Sequence, residues 1–235
     1  VLNAMRVLTD PVETGAATLC LPQDTQAEAY DYPDYFFAKR IWHIDRRPLN
    51  PRSLHEAATL LSKAKKPLII AGGGVHYSQA ADTLRDFAET FGIPVGETQA
   101  GKSAMSWKDS MSVGAIGVTG TSAANLIAND ADVVLVVGSR LQDFTTASKQ
   151  IFSPDVKLLH LNISQYDGLK MDSVALHADA KSGLETLKKS LQKSSYQTNP
   201  EYRKLVSQLQ SEWNIEVDRL YKLTSEEGNV QTLIV

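Results

Sequence analysis

The residues best suited to bind a ligand stand in three short segments, and the first is a run of glycines. Gly72, Gly73 and Gly74 follow the apolar stretch PLIIA and precede an amphipathic segment. A glycine-rich turn from a strand into a helix exposes backbone N–H groups, which favour anions such as phosphate. Glycines also let a chain turn sharply without binding anything. The sequence leaves both interpretations open.

The other two segments also follow apolar stretches. Thr98, Gly101 and Lys102 follow IPVGE, and the lysine could meet a phosphate or a carboxylate or simply face solvent. Arg140 and Asp143 follow DVVLVVGS, and they could contact a ligand or pair with each other. If the apolar stretches are parallel strands, all three segments lie at carboxyl ends of strands, where folds of this kind bind their ligands.

No residues form a recognisable catalytic or metal-binding motif. The histidines show neither i,i+4 pairing nor an HExxH context, and no G-x-S-x-G elbow occurs. They are His43, His55, His76, His160 and His177. Cys20 is the only cysteine, so neither a disulfide framework nor a cysteine-rich zinc site can form within this chain. We therefore predict neither catalytic nor metal-binding residues in it.

The glycine run does not complete the fingerprint of a dinucleotide-binding fold. Its third glycine should stand at position 77, which is Tyr77, and no G-x-x-x-x-G-K-[ST] loop occurs. A nicotinamide-dependent oxidoreductase is thus an open alternative, but the incomplete fingerprint argues against it. A sirtuin-type deacylase is another, disfavoured because Cys20 alone cannot supply its four-cysteine zinc module. A non-enzymatic packing and assembly module is the third.

The composition is that of a globular chain. Of 235 residues, 43% are hydrophobic and 22% charged, with a net charge of -3. This slight negative charge gives no reason to expect nucleic acid or an anionic membrane as a partner. The apolar runs are too short to span a bilayer, and no export signal precedes the first element. We predict a cytoplasmic protein without a nucleic-acid or membrane partner.

Strands and helices that could position the three segments alternate between residues 50 and 194. The predicted strands are PLIIA, IPVGE, a weaker SVGAIG, DVVLVVGS, VKLLHLNI and DSVALHAD. Helices are predicted from Asn50–Pro51, before Gly92, at TSAANLIANDA and at AKSGLETLKKSLQKS. Strands that are apolar on both faces indicate a parallel sheet covered on both sides. We predict an α/β fold with a doubly wound, six-stranded, mostly parallel sheet and helices on both faces.

Two regions outside this alternation are harder to interpret. AATLCLPQD, residues 16–24, is predicted to form a short strand stopped by Pro22. EYRKLVSQLQSEWNIEVDRLYKL is predicted to form a helix, but its mixed polarity does not show what it packs against.

A family resemblance rests on four stretches taken in order. They are RPLNP, EAATLLSKAKKPLIIAGGGV, AETFGIPVGETQAGKSAM and VGAIGVTGTSAANLIANDADVVLVVGSRLQDF. This succession resembles the Rossmann-like central domain of thiamine-diphosphate-dependent enzymes of the acetolactate-synthase type. AATLCLPQDT is similar to the end of the pyrimidine-binding domain in that family.

The resemblance implies a division of the chain into four parts. Residues 1–24 would be the tail of the pyrimidine-binding domain, 25–50 a connector and 51–194 the central domain. Residues 195–235 would be a linker and a helix leading to the diphosphate-binding domain.

The connector suggests a branch of the family. YDYPDYFFAKRIWHIDRRP is most similar to the enzyme of myo-inositol degradation that adds water across a C–C bond of a cyclic 1,2-diketone, giving 5-deoxyglucuronate. The resemblance thus implies a hydrolase. An acetolactate synthase, or a related lyase or carboligase, is the nearest alternative.

The resemblance implies thiamine diphosphate and magnesium as cofactors, held mainly outside this chain. The activating glutamate of the family would precede Val1, and the metal-binding Gly-Asp-Gly is absent from the sequence. Val1 is not an initiator methionine and the chain stops inside VQTLIV, so we expect a piece of a longer polypeptide that is inactive alone. Its partners would be the other domains of the polypeptide and further copies in a dimer or tetramer.

Some relatives hold FAD in the central domain through the same three segments. By position, the cofactor-binding residues would be Gly72, Gly73, Gly74, Thr98, Gly101, Lys102, Gly138, Arg140 and Asp143. The synthase pattern after the fourth strand is closer to Gly-x-Arg-Phe-Asp-Asp-Arg. This chain has Gln142 for the first acid and Phe144 for the second basic residue. Binding of FAD, of another nucleotide or of neither is left open.

Overall fold

The fold is that of a computed structural model, which describes residues 1–222. The chain forms two compact units, Val1–Arg46 and a larger one that begins at Arg47. We call them the N-terminal unit and the sheet unit. Among the described residues, no helix combines the length and apolar character needed to cross a membrane.

The N-terminal unit contains helices only. These are α1 (Leu2–Thr9), α2 (Gln23–Gln26) and a 3-10 helix (Asp34–Phe37). The predicted strand at residues 16–24 is wrong: this stretch has no regular structure before α2 begins. A strand needs a neighbour to pair with its backbone groups, and residues 1–46 contain no other strand. None of these residues is buried.

The sheet unit is built on six parallel strands. They are β1 (Pro67–Ala71), β2 (Val95–Glu97), β3 (Ser112–Ala115), β4 (Val133–Val137), β5 (Lys157–Asn162) and β6 (Val174–His177). Their order in the sheet is β3-β2-β1-β4-β5-β6, and every pairing is parallel. The predicted α/β fold with a six-stranded sheet is therefore confirmed.

Eight α-helices of the described sheet unit precede, connect or follow these strands. They are α3 (Pro51–Leu61), α4 (Gly74–Tyr77), α5 (Ala81–Phe91), α6 (Ser122–Asp130), α7 (Asp143–Thr146), α8 (Gln165–Gly168), α9 (Ala180–Lys193) and α10 (Pro200–Tyr221). Helix α3 begins as predicted, because the Asn50 side chain accepts a hydrogen bond from Arg52 N at 2.9 Å. Helix α5 ends at Gly92, which has a φ of 69°.

Helices cover both faces of the sheet, as the continuous apolar strands predict. In β1, Ile69 and Ala71 face a core shared with α3, α5 and α9, whereas Leu68 and Ile70 face a core shared with α6 and α10. All four side chains are fully buried. Two apolar faces thus hold the sheet in place and leave its strand ends for other groups.

Helix α10 packs on the second core. Val206 is buried there, and the Tyr202 hydroxyl donates to the carbonyl of Pro67 at 3.0 Å. Burial raises the pKa of the Tyr202 hydroxyl far above its ordinary value, so this group stays a proton donor. The structure therefore shows that α10 packs against the second core of the sheet unit, which the mixed polarity of its sequence does not predict.

Candidate functional site

The candidate site lies where the direction of the strand connections reverses. The chain moves outward from β1 through β2 to β3 and then returns to β4, directly beside β1. Ligands of doubly wound sheets bind beyond the carboxyl ends of strands at such a switch point. Residues 72–74 follow β1, and we call residues 138–142, between β4 and α7, the β4 loop.

The glycine run and the β4 loop are joined by their backbones. Gly72 N–H donates to the carbonyl of Val137 at 2.8 Å, and Gly74 N–H donates to that of Gly138 at 2.9 Å. A Cβ atom on Gly72 would lie 2.4 Å from the Gly138 oxygen, and one on Gly74 would lie 2.6 Å from the Gly138 Cα. Only glycine permits such a close approach.

These contacts bear on what the glycines do. The N–H groups of Gly72 and Gly74 are already donated within the protein, so they have no proton left for a phosphate. The carbonyl of Gly73 accepts from the N–H groups of His76 and Tyr77 in the four-residue helix α4. This geometry supports a conformational role for Gly72 and Gly74. Neither of their N–H groups is available to bind an anion.

The second segment packs onto the first. Thr98 N–H donates to the carbonyl of Ala71 at 2.9 Å, and the Thr98 side chain accepts from Gly101 N–H at 3.1 Å. A Cβ on Gly101 would lie 2.1 Å from the Ala71 oxygen. The Lys102 side chain is exposed, while its carbonyl contacts His76 Nε2 at 2.9 Å. The structure thus brings this segment to the switch point and leaves the lysine charge in solvent.

The third segment lines part of a cavity, to which it contributes the charge of Asp143. The cavity has a volume of about 570 Å³, and its polar lining is Gln142, Asp143, Lys149 and Lys170. Arg140 is exposed too, but among the described residues no ion pair joins it to Asp143. Their pairing, one of the two sequence interpretations, is therefore wrong. Asp143 is the first residue of α7, whereas Arg140 precedes that helix, so helical i,i+3 geometry does not bring them together.

Two residues that the sequence reasoning passed over hold the β4 loop. His160 and Asn162 on β5 both contact the carbonyl of Ser139, from Nε2 at 2.6 Å and from Nδ2 at 2.8 Å. His160 is fully buried, and this burial lowers its pKa below the ordinary value. The sequence does carry a signal, since both are polar residues at alternating positions of the apolar stretch VKLLHLNI.

The fold and site match a described protein family. The family model described as the central domain of thiamine pyrophosphate enzymes matches residues 54–187, more than half of the chain. This chain belongs to the thiamine pyrophosphate enzyme family. The matched residues include β1 to β6 and all three candidate segments, so the sheet unit contains the central domain of a thiamine pyrophosphate enzyme.

Several curated relatives are similar over nearly the whole chain. The 3D-(3,5/4)-trihydroxycyclohexane-1,2-dione hydrolase of Clostridium tetani (strain Massachusetts / E88) is 49% identical over 223 residues, which is 94% of this chain and 34% of the relative. The protein of that name from Bacillus thuringiensis (strain Al Hakam) is 48% identical over the same shares. That of Clostridium botulinum (strain Eklund 17B / Type B) is 47% identical over 97% of this chain and 35% of the relative. The chain spans about a third of the length of these relatives.

The described part of this thiamine pyrophosphate enzyme domain does not fit the metal that the family implies. Residues 1–222 contain no cluster of three or more histidine, cysteine, aspartate or glutamate side chains that could hold an ion. Glu97, the buried acid that ends β2, accepts a hydrogen bond from Met105 N at 2.7 Å and so stabilises the loop that follows β2. Metal chemistry is therefore not assigned to residues of this part of the chain.

Proposed function

We propose that this chain is the central domain of a thiamine-diphosphate- and magnesium-dependent hydrolase that acts on trihydroxycyclohexane-1,2-dione in myo-inositol degradation. The observation that carries the proposal is the 49% identity over 94% of the chain to a relative bearing that enzyme name. The aromatic connector YDYPDYFFAKRIWHIDRRP, which carries the resemblance to this branch of the family, lies within the N-terminal unit and the residues just after it.

The proposed reaction opens a ring with one molecule of water. Cleavage between the two carbonyl carbons of a cyclic 1,2-diketone leaves a carboxylate at one carbon and an aldehyde at the other, as in 5-deoxyglucuronate. Thiamine diphosphate would supply the carbanion chemistry of this cleavage when bound. The residues of this chain would contribute the rigid sheet between the domains that hold the cofactor.

The activity is tested on the complete polypeptide encoded by the gene. Purified protein with thiamine diphosphate and magnesium should hydrolyse the cyclic diketone faster than it converts pyruvate to acetolactate. Omission of either cofactor should abolish the reaction. Faster acetolactate formation would instead identify a synthase, which is the alternative function.

The 235-residue chain alone should be inactive in the same assay, because its described residues contain no cluster of side chains that could hold the magnesium ion. Diketone hydrolysis by this chain with both cofactors present would overturn that expectation. The proposed complete enzyme would be a cytoplasmic dimer or tetramer in which other domains of the polypeptide contact this one. Sedimentation equilibrium of the complete protein tests the oligomeric state.

A second candidate function is nucleotide binding at the switch point. It is favoured by the cavity of about 570 Å³, which is within the range of small-molecule sites and places Lys149 and Lys170 beside the β4 loop. FAD or ADP could place a phosphate against these lysines. The predicted cofactor-binding residues Gly138, Arg140 and Asp143 belong to this part of the molecule.

Thermal unfolding of the 235-residue chain tests this binding. FAD, ADP, NAD and thiamine diphosphate with magnesium would be added separately. A ligand at 100 times its dissociation constant adds about 2.7 kcal/mol, which should raise the melting temperature by about 5–10 °C for a chain of this size. Lys149→Gln should reduce the shift with ADP, whereas Lys157→Gln, an exposed lysine at the amino end of β5, should not. A flat response to all four compounds would refute nucleotide binding.

A further inference from the structure

The β4 loop is held by side chains that come from the next strand of the sheet and from the segment after it. The carbonyl of Ser139 accepts hydrogen bonds from His160 Nε2 at 2.6 Å and from Asn162 Nδ2 at 2.8 Å. The carbonyl of Arg140 accepts one from Lys170 Nζ at 3.1 Å. Two consecutive carbonyls of one loop are therefore fixed by three donors. We call His160, Asn162 and Lys170 the carbonyl clamp.

Each member of the clamp is itself held in place. The Asn162 Oδ1 atom accepts from Ser164 N–H at 2.9 Å, which orients the amide so that Nδ2 points to Ser139. Lys170 forms an ion pair with Asp167 at 2.7 Å, and the Asp167 side chain is only 17% exposed. His160 is fully buried on β5. The clamp is thus rigid, as a group that positions a loop must be.

The loop needs such support because its backbone conformation is unfavourable. Gly138 has a φ of 62° and Leu141 a φ of 46°, which is a left-handed conformation at a residue with a branched side chain. A non-glycine residue in this region is destabilised because its Cβ crowds the following carbonyl oxygen. Leu141 N–H donates to the Ser139 hydroxyl at 3.1 Å. Fixing Ser139 therefore also fixes the residue that bears the strain.

The imidazole of His160 stabilises the β4 loop through one hydrogen bond, the one between Nε2 and the Ser139 carbonyl. A carbonyl oxygen can only accept, so Nε2 must carry the proton. The other ring nitrogen, Nδ1, is buried without a hydrogen-bond partner in the described part of the chain. A buried polar atom without a partner destabilises the folded state. An apolar side chain would avoid that loss, but it would leave the Ser139 carbonyl with one donor fewer.

We propose that His160 and Asn162 are positioning residues of the switch point. By holding the Ser139 carbonyl, and with Lys170 holding that of Arg140, they fix the direction in which the Arg140 side chain leaves the loop and the position at which α7 begins with Asp143. The inference goes beyond the proposed enzyme function and concerns the loop itself. It holds whichever ligand binds there, so failure of the hydrolase proposal would not affect it.

Amide hydrogen exchange of the 235-residue chain tests the proposal. Asn162→Asp keeps the acceptor for Ser164 N–H but removes the donor to Ser139, and His160→Leu removes the other donor. Each should speed exchange at the Leu141 and Thr145 amides about fivefold to tenfold, the factor expected for one lost hydrogen bond. The amides of Leu135 and Leu159, inside β4 and β5, should be unchanged. His160→Gln, whose amide can donate to Ser139, should restore part of the protection.

A matched control is available in His177. Its Nε2 contacts the carbonyl of Ile163 at 2.8 Å, which is a histidine-to-backbone contact outside the β4 loop. His177→Gln should leave exchange at Leu141 and Thr145 unchanged. Unchanged exchange there in Asn162→Asp, or equal acceleration at the loop and strand amides, would overturn the proposal, because the residues would then only stabilise the sheet.

Nitrogen-15 NMR of the wild-type imidazoles provides a test that needs no variant. The His160 ring should show a protonated Nε2 and a bare Nδ1 at neutral pH. A neutral ring protonated on Nδ1 and bare at Nε2 would overturn the assignment, since Nε2 could then not donate to Ser139. This measurement tests the His160 donor even if His160→Leu fails to fold.

Discussion

At the scale of single residues, the switch point depends on Gly138 and His160. Gly138 must be glycine because its backbone touches that of Gly74, and His160 must be neutral because it is buried. The glycine is visible in the sequence as part of GSRLQDF, but its contact with a residue 64 positions earlier is not. The buried histidine is similarly hidden within an apolar stretch. Both act through neighbours that are distant in sequence.

Gly138→Ala should destabilise the sheet unit strongly. Its φ of 62° disfavours any side chain, and the new Cβ would lie 2.5 Å from the Gly74 Cα. Left-handed strain and backbone overpacking together should lower the free energy of unfolding by about 2–4 kcal/mol. Urea denaturation provides the measurement. Gly168→Ala is the control, since its Cβ would meet Ala175 Cβ at an ordinary 3.5 Å; a loss equal to that of Gly138→Ala would contradict this explanation.

Stability should fall in acid because His160 is neutral in the folded chain. Burial lowers its pKa below the ordinary value of 6.5, and this effect outweighs the hydrogen bond to the Ser139 carbonyl and the charge of Asp167, which both raise the pKa; the Lys170 charge lowers it further. The unfolded chain therefore binds the proton first, so stability is complete above pH 6.5 and decreases as the pH falls below it. The slope should reach at most about 1.4 kcal/mol per pH unit.

Urea unfolding at several pH values measures this effect. His160→Gln should flatten the profile between about pH 5 and 6.5, because the titrating group is gone. His55→Gln, the same substitution at an exposed position, is the control variant. An identical slope in wild type and His160→Gln would show that other groups cause the acid sensitivity.

At the scale of elements, α10 contacts the β3 edge of the sheet through one side chain. Strand β3 is the last strand on its side, and edge strands present unpaired backbone groups. The Gln210 side chain donates to the carbonyls of Ser110 and Ser112, at 3.0 and 2.6 Å. The helix itself is predictable from its sequence. The position of the helix against the sheet is not predictable, because one of the contacts that set it is made by a polar residue, Gln210, which the sequence pattern does not distinguish from a solvent-exposed one.

Gln210→Ala should therefore weaken the attachment of α10. Two lost hydrogen bonds to backbone carbonyls should lower the free energy of unfolding by about 1–2 kcal/mol. Gln208→Ala removes the same side chain from the same helix, where it contacts only the exposed Glu212 at 2.8 Å, and should change stability by a few tenths of a kcal/mol, roughly. If Gln210→Ala and Gln208→Ala lower the free energy of unfolding equally in urea denaturation, the hydrogen bonds of Gln210 do not attach α10 to the sheet edge.

At the scale of the whole molecule, the N-terminal unit exposes an unusual number of aromatic side chains. Tyr32, Phe36 and Phe37 contact one another, with ring centroids 4.8–5.9 Å apart, yet Phe36 and Phe37 are 58% and 71% exposed. Apolar clusters of this kind mark surfaces that bind other protein or associate with themselves. We propose that other parts of the complete polypeptide cover this cluster.

The 235-residue chain alone should then self-associate through the aromatic cluster. Sedimentation velocity at increasing concentration should show a growing fraction of oligomers. Phe36→Ser with Phe37→Ser should reduce that fraction, because it removes the two most exposed rings of the cluster. Tyr166→Ser is the control, as this tyrosine is 84% exposed in the sheet unit. Strictly monomeric wild type at all concentrations would contradict the prediction.

The sequence by itself determines which segments are buried and how they follow one another. Continuous apolar stretches such as PLIIA must be covered on both faces, and helices between them make the strands parallel. The same pattern fails where structure depends on pairing over a distance. Residues 16–24 have strand-like residue types, but residues 1–46 form no strand that could pair with them.

The tertiary structure alone decides what the candidate site residues contact. Spacing in the sequence suggests an ion pair between the side chains of Arg140 and Asp143. In the fold, the contacts of this loop are instead made by its backbone: the Arg140 carbonyl accepts from Lys170 and the Ser139 carbonyl accepts from His160. The fold also shows that Gly72 and Gly74 donate their N–H groups to β4 and its loop rather than leaving them free. The physical reason is that hydrophobic periodicity is a local property of the chain. Hydrogen-bond partners, by contrast, are set by which distant strands become neighbours in the sheet.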